Sequence, residues 1–314
     1  MKTITITAVF IISSFFALAQ NKKEQRRASA PGKHHFAIVV EDDIREYYVH
    51  IPQGYDSTVS MPVVLMLHGS GGDGEKFYTI SGWVQQGEAE NIITVFPSAF
   101  KYDCVIDDGI KKHNAEKWTS YDLKLCNNIK RRDDVKFLTK VIEAVGTKYT
   151  IDTGRIYMVG FSNGGEMAAR CAIELSDKLA AVVACAGSIP PDTTLGPSRI
   201  LPVLLQMGAS DHKLMSKLGA ATPFSLNIPQ LLSAYPAIQA VINSYISSFA
   251  LNNNYTIQGN PGEYIIAKYS GAAGPQNVFD FIVVKGLDHQ YPNGKNHPLK
   301  GAEVHWEWMK NYHL

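Results

Sequence analysis

The chain has 314 residues, 45% of them hydrophobic, enough to bury a sizeable core. Charged residues make up 19% and aromatic residues 10%, a globular balance that argues against disorder. A formal net charge of +1 gives no support for a nucleic-acid partner, and the short basic runs Lys111-Lys112 and Lys130-Arg131-Arg132 read as solvated surface.

In chain order, residues 1–19 read as a signal peptide. Lys2 gives a positive start, residues 3–18 are largely apolar, and Ala17-Leu18-Ala19 has the small-x-small form that signal peptidase reads. The apolar run is too short and too interrupted by Ser and Thr to span a bilayer, and no later run is long enough, so no membrane partner is expected. Export to a secreted or periplasmic location follows. Residues 20–35 are polar and basic, contain Pro31-Gly32, and read as a flexible leader. A single catalytic domain is expected over 36–314.

Two β-rich runs, 36–40 and 45–51, flank the acidic turn Glu41-Asp42-Asp43 and predict a hairpin. Residues 62–68 form a continuous apolar run that ends in Gly-rich sequence, the pattern of a strand buried on both faces of a parallel sheet. Runs of the same kind lie at 92–96, 155–159, 180–186, 201–207 and 279–284. Helical patterns at 133–149, 164–175 and 301–312 alternate with them. This alternation predicts an α/β class, with a mostly parallel central sheet flanked by helices and right-handed crossovers. Two stretches break it. Residues 99–132 read as a long polar loop, and 213–260 as an insertion, lid-like or forming a cleft wall, with a helical pattern at 238–249.

Export makes disulfides possible. Cys104 and Cys126 flank one polar loop and are expected to pair, whereas Cys171 and Cys185 fall on a helix and a buried strand and are expected to pack as small apolar groups. No CxxC or HExxH spacing is present, so no metal is expected.

Gly160-Phe161-Ser162-Asn163-Gly164 matches G-x-S-x-G. It lies between a strand-like and a helix-like segment, where a sharp turn exposes the serine hydroxyl and bulky neighbours would clash. Ser162 is the expected nucleophile. His68-Gly69-Ser70-Gly71-Gly72 follows the earlier buried strand, and a Gly-rich loop there offers a backbone N–H to an oxyanion. Ser70 and Asn163 are the expected donors. A phosphate loop would need Lys followed by Ser or Thr, but Lys76 is followed by Phe77. Asp211 follows the end of the 201–207 strand and is the expected acid, with a helix N-cap as its alternative use. His289 follows the 279–284 strand and is the expected base, with His297 as rival. Asp288 is a weaker acid candidate, His68 should be structural, and His305 should lie at the surface. Trp118 and Tyr291 are the expected substrate-binding aromatics; Trp83 and Tyr121 are further candidates, and Trp306 and Trp308 should pack.

The set His68-Gly-Ser-Gly-Gly72, Gly-Phe-Ser162-Asn-Gly-Gly165, Gly208-Ala-Ser-Asp211 and Gly-Leu-Asp-His289-Gln-Tyr-Pro292 resembles the secreted feruloyl esterase and polyhydroxybutyrate-depolymerase-like esterases, as does Asp133-Asp134-Val135. The resemblance runs from about Tyr47 to the C-terminus. It implies an α/β-hydrolase fold without cofactor, acting as a serine carboxylesterase on feruloyl or acetyl esters of plant polysaccharide, or on polyester. A serine peptidase of the same fold shares the Ser, Asp, His order. The chain departs from the family pattern at Tyr291, where Trp is common, at His212, where Pro is common, and in the length of 213–260.

Overall fold

The computed structural model describes residues 30–106, 110–120, 131–193 and 195–314, with side chains at 104–114 excluded. The expected signal peptide, most of the leader, the Cys104–Cys126 pairing and Tyr121 therefore lie outside the described residues.

β1 (Gly32–Val40) and β2 (Asp43–Ile51) form the expected hairpin. It starts earlier than predicted: Gly32 to His35 pair with Ile51 to Tyr48, so these four positions belong to the sheet rather than to a leader. β3 (Met61–Leu67) is buried at every position. Two short helices follow, α1 (Gly74–Ile80) and α2 (Trp83–Glu90), then β4 (Ile93–Pro97), again wholly buried. β5 (Phe100–Ile106) and β6 (Ile110–Lys117) pair antiparallel as a separate two-stranded sheet, where a polar loop was predicted. The pairing is made by backbone groups; Phe100, Tyr102 and Cys104 alternate with Lys101 and Asp103 in β5, but the mostly polar β6 carries no apolar period to announce a partner.

α3 (Asp134–Lys148) starts at Asp133, whose carboxylate accepts the Lys136 N–H, and it buries Phe137, Leu138, Val141, Ile142 and Val145 at helical spacing. β7 (Ile151–Phe161) runs into α4 (Asn163–Glu174), and β8 (Ala181–Cys185) and β9 (Val203–Gly208) follow, both buried throughout. Next come α5 (His212–Leu218), α6 (Ile228–Ala234) and α7 (Pro236–Ser248), then β10 (Leu251–Asn260), β11 (Tyr264–Gly271), β12 (Val278–Val284) and α8 (Gly301–Met309).

The strand order is β1-β2-β4-β3-β7-β8-β9-β12-β11-β10. From β4 to β12 neighbouring strands are parallel, and an antiparallel pair extends each edge. Side chains alternate along each strand, so the sheet carries a core on each face. Val63, Leu65 and Leu67 face α3, α4 and α7; Val64 and Met66 face α1, α2 and α8.

The 213–260 stretch is no lid-like insertion. α7 buries Ile238, Ile242 and Tyr245 in the sheet core, and Tyr245 stacks on Phe279 of β12 with ring centroids 4.4 Å apart. Residues 251–260 are the sheet's edge strand.

A buried ion pair ties β2 to α3. Arg45 of β2 donates to Asp134 Oδ1 at 2.7 Å, with both side chains almost fully buried, and its guanidinium lies 4.0 Å from the centroid of the Phe137 ring. The second carboxylate oxygen accepts the Thr119 N–H at 2.7 Å and hydroxyl at 2.8 Å. The segment after β6 is thereby fastened to the start of α3.

Candidate active site

The turn from β7 to α4 is as tight as the glycines predict. A Cβ on Gly160 would lie 1.9 Å from Gly164 O, and one on Gly164 would lie 2.4 Å from His68 O. Ser162 sits at the apex with φ 53° and ψ −122°, a backbone conformation costly for any residue with a Cβ and held by its surroundings. Its N–H donates to Cys185 O at 2.8 Å, and its carbonyl accepts the Glu166 N–H at 2.9 Å. Asn163 is the first helical residue, so its N–H has no acceptor within the helix.

Asp211, His289 and Ser162 lie in one hydrogen-bonded line. Ser162 Oγ is 2.9 Å from His289 Nε2, and His289 Nδ1 is 2.8 Å from Asp211 Oδ2. An ionised carboxylate only accepts, so Nδ1 carries the proton and Nε2 presents its lone pair to the hydroxyl. Asp211 is also the N-cap of α5, its Oδ1 accepting from the Lys213 and Leu214 N–H groups. The two oxygens of this carboxylate thus have separate partners, the His289 imidazole on Oδ2 and the first turn of α5 on Oδ1.

Asp288 ties the neighbouring loops together. Its Oδ1 accepts from the His289 N–H at 2.6 Å, the His212 N–H at 3.0 Å and His212 Nδ1 at 2.6 Å. Partial burial opposes its charge, but these donors prevail and hold the carboxyl down at about 2. Asp288 therefore stays ionised and joins the start of α5 to the backbone of His289. His297 is turned elsewhere, its Nε2 bonded to Lys285 O.

The Gly-rich loop lies against the serine: a Cβ on Gly69 would fall 3.3 Å from Ser162 Cβ. Gly69 O accepts from His68 Nδ1 at 2.8 Å and from the Gly72 N–H at 3.0 Å. In a trans peptide C=O and N–H point opposite ways, so pinning Gly69 O directs the Ser70 N–H away from the pin. His68 Nε2 accepts the Ala99 N–H at 2.9 Å, which requires a neutral ring, and complete burial lowers its pKa to about 4.

The structure overturns four expectations, for Trp118, Tyr291, His305 and Trp83. Trp118 is fully buried, with its indole N–H on His68 O at 2.8 Å, and cannot touch a substrate from there. Tyr291 is likewise buried, its hydroxyl 2.9 Å from Trp83 Nε1 and 3.0 Å from His305 Nδ1. His305 is not at the surface: it is fully buried, its Nε2 bonded to Gln206 Oε1 at 2.9 Å, and burial lowers its pKa to about 3. Aromatic residues beside a site motif were read as exposed, but the indole and phenol each found a hydrogen-bond partner in the core. Trp83, also fully buried, belongs to the same chain of contacts, whereas Trp306 and Trp308 pack and donate to Glu90 and Asp280.

Sequence reading missed the side chain of Asn163. Its Oδ1 accepts the Trp118 N–H at 2.8 Å, and its Nδ2 reaches Ser120 Oγ at 2.7 Å and Glu166 Oε2 at 3.1 Å. The only signal was an amide at the position after the nucleophile.

The phospholipase/carboxylesterase family profile matches residues 56–227, which include Ser70, Ser162 and Asp211. The chain is 25% identical over 277 residues to feruloyl esterase B of Piromyces equi, covering 86% of this chain and 46% of that one. It is 23% identical over 143 residues to a bifunctional acetylxylan esterase/xylanase of Neocallimastix patriciarum, covering 46% of this chain and 18% of that one. It thus spans less than half the length of these curated relatives. The structure of an acetyl xylan esterase from Aspergillus awamori superposes with a TM-score of 0.54 at 13% identity, over 88% of this chain and 99% of that one, a likeness of fold. The architecture is the α/β-hydrolase fold, and with more than half of its length matched by the profile, the chain belongs to the phospholipase/carboxylesterase family.

Proposed function

We propose that the protein is a serine carboxylesterase in which Ser162 is the nucleophile, His289 the general base and acid, and Asp211 the group that orients His289. The observation that carries this reading is the line from Ser162 Oγ to His289 Nε2, and from His289 Nδ1 to Asp211 Oδ2, at 2.9 and 2.8 Å.

His289 Nε2 takes the hydroxyl proton as Ser162 Oγ attacks the ester carbonyl. Asp211 stabilises the resulting imidazolium. The tetrahedral oxyanion is met by the N–H groups of Ser70 and Asn163, each such donor being worth roughly 3 kcal/mol in the transition state. The imidazolium then protonates the leaving alcohol, and water activated by the same imidazole releases the acid from Ser162. No step needs a cofactor. The substrates are feruloyl or acetyl esters of plant polysaccharide; relatives named as feruloyl and acetylxylan esterases support this choice. The protein is exported, a reading supported by Lys2, the apolar run to Leu18 and Ala17-Leu18-Ala19.

The test is an ester panel of methyl ferulate, acetylated xylan, short p-nitrophenyl esters and hydroxybutyrate oligomers, with Ser162→Ala as control. Ferulate or acetyl-xylan turnover that falls at least about 10⁴-fold in Ser162→Ala is expected. Selective turnover of hydroxybutyrate oligomers would move the substrate to polyester, faster acylation by a peptide amide than by its matched ester would make the protein a peptidase, and activity retained in Ser162→Ala would remove the nucleophile.

A further inference from the structure

We propose that Trp118 is a positioning residue that sets the separation of the two oxyanion donors, an inference that rests on the esterase reading above. The donors come from different segments. The Ser70 N–H lies on the loop after β3, and the Asn163 N–H opens α4. Trp118 belongs to neither, yet it is bonded to both. Its backbone N–H donates to Asn163 Oδ1 at 2.8 Å, and Asn163 Nδ2 donates back to Trp118 O at 3.3 Å, so the amide side chain and the peptide are paired at two points. Its indole Nε1–H donates to His68 O at 2.8 Å, two residues before Ser70.

The brace is anchored from behind. Thr119, the next residue, is held by the Asp134 carboxylate through both its N–H and its hydroxyl. The Trp118 ring stacks toward Phe137 with centroids 6.4 Å apart and lies 5.1 Å from the His68 ring. With no exposed surface, Trp118 acts only through the groups it holds. An oxyanion donor is effective only when it lies about 2.7–3.1 Å from where the charged oxygen forms. Donor spacing therefore bears on the transition state far more than on the bound ester, and a loosened brace is read in kcat rather than KM.

The experiment is Trp118→Phe, which keeps a ring in the core and removes the donor to His68. With p-nitrophenyl acetate, kcat should fall roughly 10- to 100-fold while KM stays within about twofold. Affinity for an alkylboronic acid, which forms a tetrahedral adduct on Ser162, should fall by a similar factor, while inhibition by acetate stays unchanged. Val141→Ala, a fully buried position on α3, is the packing control: it removes core volume without removing a hydrogen bond, and should lower thermal stability but keep kcat and boronate affinity. Wild-type kcat and boronate affinity in Trp118→Phe would overturn the proposal, as would equal losses in both variants. If Trp118→Phe does not fold, benzothienylalanine at position 118, which has sulfur in place of the indole N–H, is read by the same two outcomes. A wild-type protein that neither hydrolyses the ester nor takes a fluorophosphonate on Ser162 would overturn the esterase reading and this proposal with it; an active wild type with an unaltered Trp118→Phe overturns the brace alone.

Discussion

His68 and His305 show how a buried imidazole can serve a site without titrating in it. Each accepts one hydrogen bond at one nitrogen and donates one at the other, and burial keeps both neutral, with pKa values near 4 and 3 against an ordinary 6.5. The unfolded chain takes up these protons as pH drops below about 6.5, while the folded chain refuses them until about 4 and 3. Their contribution to stability is therefore complete above pH 6.5 and is lost as pH falls through that window, by about 1.4 kcal/mol per pH unit for each proton. Urea unfolding at pH 7, 6 and 5 should show this slope, and His305→Gln should flatten it by one proton; an unchanged slope would mean that His305 ionises inside the fold. At this scale the sequence was legible where sterics dictate identity. Gly160 and Gly164 mark the serine turn because nothing larger fits. It was misleading at Trp118, Tyr291 and His305, whose destinations depend on partners far along the chain, at His68, Trp83 and Gln206, which no local pattern announces.

Between elements, the most buried ion pair among the described residues is Arg45–Asp134, which joins β2, α3 and the segment that carries Thr119. Removing one partner strands a charge in the core. Arg45→Met should cost about 3–5 kcal/mol, and the double change with Asp134→Leu should recover part of that loss. A denaturant double-mutant cycle measures the coupling; additive losses would mean that the two side chains do not depend on each other. Burial decides which elements could be read in advance. Strands β3, β4, β8, β9 and β12 are buried on both faces and so appear as mostly apolar runs without alternation, broken only by Thr94, Gln206 and Asp280. β10 is the opposite case: Asn252, Asn253 and Asn254 are exposed, and the strand exists because β11 offers it a free edge. The 213–260 region read as an insertion because the patterns of α6 and α7 interrupt the strand alternation, yet Leu231 and Ile242 are fully buried in the main core.

Across the whole molecule, the candidate site gathers at the C-terminal ends of β3, β7, β9 and β12, the usual place for chemistry on an open α/β sheet. Its order along the chain was legible because each chemical residue follows a buried strand. Its closeness in space was not, because strand order is a property of the folded sheet. β9 and β12 are direct neighbours, in register from Val203 with Phe279 to Gly208 with Val284, although three helices and an antiparallel strand pair intervene in sequence. The exposed turn at Pro261-Gly262 interrupts that excursion, with the β10–β11 ladder running up to it on both sides. A chain divided there would carry Ser162 and Asp211 on one piece and His289 on the other. On the proposed triad neither half cleaves an ester, and activity returns only when the β10–β11 and β9–β12 seams zip together. Ester turnover would then report the meeting of two polypeptides, with a chromogenic ester as its readout, and any pair of proteins fused to the halves could be scored for association by colour.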